Sequence, residues 1–235
     1  MKIAILKTGS LPEILNDRFQ SYPEMLIELI DPHNIRIYFE KISCIDNIFP
    51  NKIDDFDGYI ITGSSYGVYD KEEWITNLFK LIREIYNKSI PLVGICFGHQ
   101  AIAEALGGKV LKSEKGWGLG IKNMIKKNDS SWINKNIKNI NLIYSHQDQV
   151  ITLPKNARIL FGNTFCPISS FAIGNKVFAI QGHPEFKNDF AIELLELRKD
   201  KIETNKYTYA KKSLLEKSHD GKKVGEMIIN FFKYR

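Results

Sequence analysis

The fold of this chain is decided around one stretch, Pro91-Leu92-Val93-Gly94-Ile95-Cys96-Phe97-Gly98-His99-Gln100. Its apolar part, residues 92–95, has the length and composition of a buried strand. Residues 101–106 are strong helix formers, and the glycine pair at 107–108 marks the end of that helix. The pattern therefore predicts that Cys96 lies on a sharp turn between a strand and a helix.

A cysteine on such a turn has the geometry of the nucleophile elbow of serine hydrolases. Gly94 and Gly98 flank it, and they leave room for a tight turn and for a substrate to approach the backbone. The positive end of the helix favours the reactive thiolate. A buried structural cysteine on an ordinary turn would give the same local pattern, so this stretch alone leaves both interpretations open.

A second stretch favours catalysis, Ala179-Ile180-Gln181-Gly182-His183-Pro184-Glu185-Phe186. A nucleophilic cysteine needs a base, and the base needs a group that orients it. Side chains two residues apart in extended backbone lie on the same face, with Cα atoms roughly 7 Å apart. We therefore expect Glu185 to hold the imidazole of His183. A histidine satisfied in a strand-end turn and an acid at a helix N-terminus are the structural alternatives.

Together the two stretches resemble the class I (triad type) glutamine amidotransferases. Residues 94–100 match the family's G-x-C-x-G-x-Q elbow, and residues 183–185 match its H-P-E motif. Residues 62–70 look like the family's oxyanion loop, and residues 145–150 are similar to the S-H-x-D-x-V segment of the GMP-synthase-like branch. The resemblance covers residues 1 to about 190, and it extends to stand-alone γ-glutamyl hydrolases and peptidases of this family.

The resemblance implies a role for each motif residue. Cys96 would be the nucleophile, His183 the general base and then the acid, and Glu185 the orienting group. The backbone N–H groups of Phe97 and Gly63 would form the oxyanion hole. The chain departs from many relatives in the oxyanion loop, because Gly63 is followed by two serines where they have Gly-Pro.

The resemblance also implies a set of residues that line the substrate site. These residues are Gln100, Ser145, His146, Gln147 and Asp148. Gln100 lies one helical turn after the cysteine, where a polar residue facing solvent is the alternative. We expect His146 to be structural or adjacent to the substrate. We interpret His99, beside the nucleophile, as a packing residue or a contact with a partner.

Composition and charge exclude several classes of protein. The 235 residues are 43% hydrophobic and 26% charged, which is ordinary for a globular domain. The net charge of +6 comes from scattered lysines, so we expect no nucleic-acid partner. The three cysteines and five histidines lack the spacing of a disulfide framework or a metal site, so we expect neither metal nor cofactor. With no signal peptide or membrane span apparent, we expect a cytoplasmic protein.

The pattern along the chain predicts an α/β fold in one domain, residues 1–235. Strands at 2–6, 35–39, 56–61 and 92–95 alternate with helices at 22–30, 71–86 and 101–106, as in an open, mostly parallel sheet flanked by helices. The resemblance makes this fold flavodoxin-like. Short strands without intervening helices follow residue 108, which predicts an added antiparallel region. Beyond a motif-bearing core of residues 1–190, a helical tail of residues 190–235 is predicted at 193–201, 211–217 and 224–232.

Three functions agree with the sequence. The first is a stand-alone hydrolase of glutamine or a γ-glutamyl compound. The second is a glutaminase subunit that passes ammonia to a separate synthase, and the third is a catalytically silent regulatory domain. The paired motifs weigh against the third. We further expect a hydrolase to recognise the γ-glutamyl half and to leave the side of the departing amine open.

Overall fold

The computed structural model describes residues 1–31 and 37–233. The strands are β1 Lys2–Lys7, β2 Tyr38–Ser43, β3 Gly58–Ile61, β4 Leu92–Ile95, β5 Lys109–Lys112, β6 Gly118–Lys126, β7 Asn139–His146, β8 Asp148–Thr152, β9 Arg158–Gly162, β10 Ser170–Ile173 and β11 Val177–Ile180. The α-helices are α1 Tyr22–Ile30, α2 Glu73–Asn87, α3 Phe97–Ala105, α4 Asn188–Glu196, α5 Thr204–Glu216 and α6 Gly221–Lys233.

Nine of the described strands form one mixed sheet in the order β2-β1-β3-β4-β11-β10-β9-β6-β7. Strands β2, β1, β3, β4 and β11 pair in parallel, and the pairs from β11 through to β7 are antiparallel. Strands β5 and β8 form a separate antiparallel pair. The predicted α/β class, with a mostly parallel sheet and an added antiparallel region, is confirmed.

Helices cover both faces of the parallel part. Alternate residues of β1 show this division, because Ile3 and Ile5 belong to one apolar cluster and Ala4 and Leu6 to another. Helices α1 and α6 contribute to the first cluster, and α2 and α3 to the second. A third cluster joins α4 and α5 to β6 and β7.

Some strands and helices begin or end at other residues than predicted. The strand predicted at 35–39 is β2, which continues to Ser43; residues 35 and 36 lie outside the described part. Because β2 is an edge strand with charged residues, its apolar pattern stops early. Strand β8 was not predicted inside the 145–150 segment, and the tail helices α4 and α5 begin earlier than predicted, at Asn188 and Thr204.

Cys96 lies on the predicted turn between β4 and α3, with φ 52° and ψ −102°. A residue with a side chain seldom adopts this backbone conformation, and it is kept only where surrounding structure imposes it. The two glycines supply that environment. A Cβ on Gly94 would lie 2.5 Å from the carbonyl oxygen of Gly98, and a Cβ on Gly98 would lie 2.5 Å from that of Ile61. Strand, turn and helix therefore touch through their backbones.

We expect Gly98→Ala to lower the free energy of unfolding by about 3 kcal/mol, because the added methyl group meets a rigid carbonyl. Gly174→Ala is the control: its φ is positive, unlike that of Gly98, but no atom lies within 4 Å of the added carbon. The control should lose only ~1 kcal/mol from backbone strain. Urea unfolding of both variants measures the difference, and equal losses would contradict backbone contact at the elbow.

Candidate active site

Three neighbouring parallel strands bring the predicted catalytic residues to one edge of the sheet. Strand β3 ends before Gly63, β4 ends before Cys96, and β11 ends shortly before His183. Since β4 pairs with both β3 and β11, the three loops lie side by side. The carboxyl ends of strands in open α/β sheets are the usual place for ligands.

His183 and Glu185 form a buried pair. The Nδ1 of His183 donates to Oε1 of Glu185 over 2.8 Å, and the two residues are 4% and 5% exposed. Phe186 stacks on the imidazole with ring centroids 3.9 Å apart and planes 8° from parallel. The backbone N–H of His183 donates to the carbonyl of Ile143 in β7. The ring is thus held by a carboxylate at one edge and an aromatic face on one side.

Cys96 lies beside this imidazole. Burial opposes the charged form of His183, but the charges of Cys96 and Glu185, with hydrogen bonds to both side chains, raise the pKa of His183 to about 10. Gly63 closes the third side, because a Cβ there would lie 3.0 Å from Cε1 of His183 and 3.6 Å from Cβ of Cys96. The structure therefore brings together the three residues of the predicted triad and the predicted oxyanion glycine.

The backbone N–H groups of Gly63 and Phe97 have no hydrogen-bond partner within residues 1–31 and 37–233. Both belong to segments that adjoin Cys96. Thr8, at the end of β1, holds the Gly63 loop: its hydroxyl donates to the carbonyl of Thr62 over 2.9 Å, and its backbone N–H donates to the Thr62 hydroxyl. The sequence pattern predicted only a loop at Thr8 and gave no indication of this role.

A cavity of about 390 Å³ opens onto Cys96. The residues of the oxyanion loop and the 145–148 segment line much of it. Its other walls include Trp117 before β6 and two cations that follow α4, Arg198 and Lys201. None of these last three was predicted from sequence, because neither the segment before β6 nor the helical tail carries a motif.

Two of the predicted substrate residues form side-chain hydrogen bonds with other residues of the protein. Gln100 is buried, and its Nε2 donates to the Asp148 carbonyl over 2.9 Å and to Oε1 of Gln181 over 3.0 Å. His146 is buried too, and its Nδ1 donates to the same carbonyl. Both residues therefore fix the start of β8 beside the cavity, and direct contact of either one with substrate stays a prediction.

The other three are half-buried and line the cavity. The Ser145 hydroxyl accepts a hydrogen bond of 2.7 Å from Arg198. The Asp148 carboxylate accepts one of 2.9 Å from the hydroxyl of Tyr69. Gln147 lies between them. Ser145 and Asp148 therefore line the cavity with polar or charged groups. Each of them is hydrogen-bonded to a second side chain, Arg198 for Ser145 and Tyr69 for Asp148.

Comparison with known proteins agrees with this geometry. The profile described as glutamine amidotransferase class-I matches residues 14–196. The chain belongs to the class-I glutamine amidotransferase family. Its fold is similar to that of a glutamine amidotransferase from Thermotoga maritima, with a TM-score of 0.76, 21% identity and coverage of 98% of this chain and 96% of that one. The predicted family and the flavodoxin-like fold are confirmed.

The related sequences in this family include two groups of named enzymes. Gamma-glutamyl peptidases 3 and 4 of Arabidopsis thaliana are 31% and 27% identical to the chain, over 65% and 94% of its length. The chain spans 64% of the first of these relatives and 91% of the second. The second group includes a glutamine-hydrolyzing GMP synthase protein of Saccharolobus solfataricus, which is 28% identical over 80% of the chain and 91% of its own length.

Two findings concern membranes and metals. No helix within residues 1–31 and 37–233 has the length and apolar character needed to cross a bilayer. The same residues contain no group of three or more His, Cys, Asp or Glu side chains arranged to hold a metal ion.

We expect Glu185→Gln to lower the pKa of His183 from about 10, because the variant removes a negative charge 2.8 Å from the ring. Titration of the imidazole by NMR measures this shift. Glu193→Gln serves as the control, because Glu193 pairs with Arg18 instead, and it should leave the titration unchanged. An unaltered His183 pKa in Glu185→Gln would show that Glu185 does not stabilise the imidazolium.

Two buried histidines should make the fold sensitive to acid. Burial lowers the pKa of both His99 and His146 to about 3, below the unfolded value of ~6.5. The unfolded state therefore binds more protons between these values, and stability falls as pH drops from about 6.5 towards 3. His99 packs against Phe171 and is wholly buried, so it is the better site for a test.

His99→Leu should lose less stability than the natural protein between about pH 7 and pH 4.5, by about 2–3 kcal/mol. Urea unfolding at the two pH values measures the difference. His183, whose pKa is raised in the folded state, is present in both proteins, so its contribution cancels in the comparison. The same loss of stability in both proteins would contradict a neutral, buried His99.

Proposed function

We propose that this protein hydrolyses the γ-amide bond of glutamine or of a γ-glutamyl compound through a thioester on Cys96. The observation that supports this most strongly is the placement of Cys96 at positive φ, against the buried His183–Glu185 pair and beside Gly63. A cysteine kept only for packing needs neither the strained turn nor an imidazole held by a carboxylate.

The first half of the reaction forms the thioester. The sulfur of Cys96, whose proton His183 has taken up as the base, attacks the γ-carbonyl carbon, and the carbonyl oxygen takes up the negative charge. In this proposal the N–H groups of Gly63 and Phe97 donate to that oxygen. His183 is held in its protonated form, so it supplies the proton to the departing nitrogen as the carbon–nitrogen bond breaks. The products are ammonia or an amine and a γ-glutamyl thioester.

The second half releases glutamate. His183, now neutral, accepts a proton from a water molecule that attacks the thioester carbon. The carbon–sulfur bond breaks, and its electron pair returns to the sulfur of Cys96. The γ-carboxyl group leaves and gives its remaining proton to solvent, while the proton on His183 restores the starting charge distribution. Glu185 and Phe186 keep the ring oriented through both halves. The names of the two Arabidopsis peptidases support γ-glutamyl peptides as substrates beside glutamine.

A second function is favoured by the similarity to the GMP synthase protein of Saccharolobus solfataricus. In that case the same chemistry would act on glutamine, and the ammonia would pass to a separate synthase. The two functions differ in their need for a partner. Strong release of glutamate by the purified protein alone supports the hydrolase, and activity that requires an added synthase supports the ammonia-delivering role.

We expect Cys96→Ala to reduce glutamate release by at least ~10³-fold while leaving the folded structure intact, because the thioester cannot form. His183→Ala should cost more than Glu185→Gln, which keeps the base but removes its orienting charge. The measurement is glutamate released from glutamine and from a panel of γ-glutamyl amides. Cys44→Ala is the matched control, because Cys44 is also a free, buried cysteine but lies in the cluster under α2. Retention of most activity by Cys96→Ala would exclude the mechanism.

A further inference from the structure

Arg198 is held at the wall of the Cys96 cavity by two neighbours. Its Nη1 donates to the hydroxyl of Ser145 over 2.7 Å, and its guanidinium carbon lies 5.4 Å from the ring centroid of Trp117. The residue follows the end of α4, just beyond the region 14–196 that matches the family profile. The position therefore belongs to the part of this chain that the family motifs do not describe.

The guanidinium has no acidic partner. Within the described residues no carboxylate forms an ion pair with Arg198, although the side chain is largely withdrawn from water and its burial lowers its pKa. Ser145 engages one of the five guanidinium N–H groups. An arginine that is partly desolvated and lacks a counter-ion is costly for the free protein, and it favours a ligand that carries the missing charge.

The acids that line the cavity are engaged elsewhere. The Asp148 carboxylate accepts from the hydroxyl of Tyr69, and the Asp70 carboxylate accepts from the backbone N–H of Gly67. Arg198 is one of three cations that line the same cavity, with Lys112 and Lys201. The cavity thus contains both signs of charge, as a zwitterionic ligand requires.

We propose that Arg198 binds a carboxylate of the substrate. This inference rests on the proposed hydrolysis of γ-glutamyl compounds, all of which carry an α-carboxylate and some of which carry a second carboxylate on the departing amine. The planar guanidinium can hold a carboxylate with two parallel hydrogen bonds. Ser145 and Trp117 are positioning residues that fix its plane, so Ser145 acts on the substrate through Arg198.

The test compares substrates that differ in one carboxylate. γ-Glutamylglycine carries both carboxylates, γ-glutamyl methylamide lacks the one on the leaving amine, and γ-glutamylglycine with an α-carboxamide lacks the other. Arg198→Gln should reduce kcat/KM about 100-fold on substrates with the recognised carboxylate, mainly through KM, and no more than about 3-fold on the analogue without it. Whichever analogue escapes the loss identifies which carboxylate is bound.

Two further variants control for folding and for charge. Arg158→Gln is matched, because Arg158 also donates to a serine hydroxyl over 2.7 Å, that of Ser130, but lines a different cavity. It should leave all rates unchanged. Arg198→Lys keeps the charge without the planar pair of donors and should recover part of the loss. An equal loss on all three substrates, or no loss on any, would overturn the assignment.

Binding separates this proposal from the proposed reaction. Calorimetry with Cys96→Ala should show γ-glutamylglycine binding that weakens about 100-fold when Arg198→Gln is added. Arg198-dependent binding without turnover by the natural protein would overturn the hydrolase and support the carboxylate site. Turnover that is insensitive to Arg198 would overturn the carboxylate site and support the hydrolase.

Discussion

The backbone at Cys96 adopts a conformation that residues with side chains seldom hold, and close contacts on both sides keep it there. Gly94, Gly98 and the end of β3 approach one another so closely that a methyl group fits at neither glycine. The turn therefore cannot relax without separating strand β4 from helix α3. The rigid turn holds the thiol of Cys96 at the end of the strand, beside the imidazole of His183.

Rigid elements carry the remaining groups of the site as well. Gly63 follows β3, and its loop is hydrogen-bonded to Thr8 at the end of β1. His183 follows β11, and its backbone N–H donates a hydrogen bond to β7. The carboxylate of Glu185 and the ring of Phe186 then restrict the imidazole in two directions. Such preorganisation matters because an orienting error of about 1 Å can reduce a reaction rate by ~10²-fold.

The charged groups of the site lie in two places. One is the buried pair beside Cys96, and the other is the cavity wall that contains Arg198. The buried pair of His183 and Glu185 adjusts the protonation of the centre, while Arg198 leaves an uncompensated positive charge in the cavity. Antiparallel strands and tail helices outside the parallel core build that wall from Ser145, Trp117 and Arg198. The proposed hydrolysis and the proposed carboxylate recognition therefore depend on different parts of the fold.

Local spacing in the chain was enough to predict the parallel core, the elbow at Cys96 and the pairing of His183 with Glu185. Each of these depends on neighbouring residues: apolar runs, glycines around a turn, and two side chains on one face.

The same spacing could not reveal Thr8, Trp117 or Arg198 as parts of the site. These residues meet the motif residues through packing between segments, and no local pattern encodes such a contact. Arg198 lies beside Ser145 although the two are 53 residues apart in the chain, and tertiary packing withdraws it from water without a counter-ion.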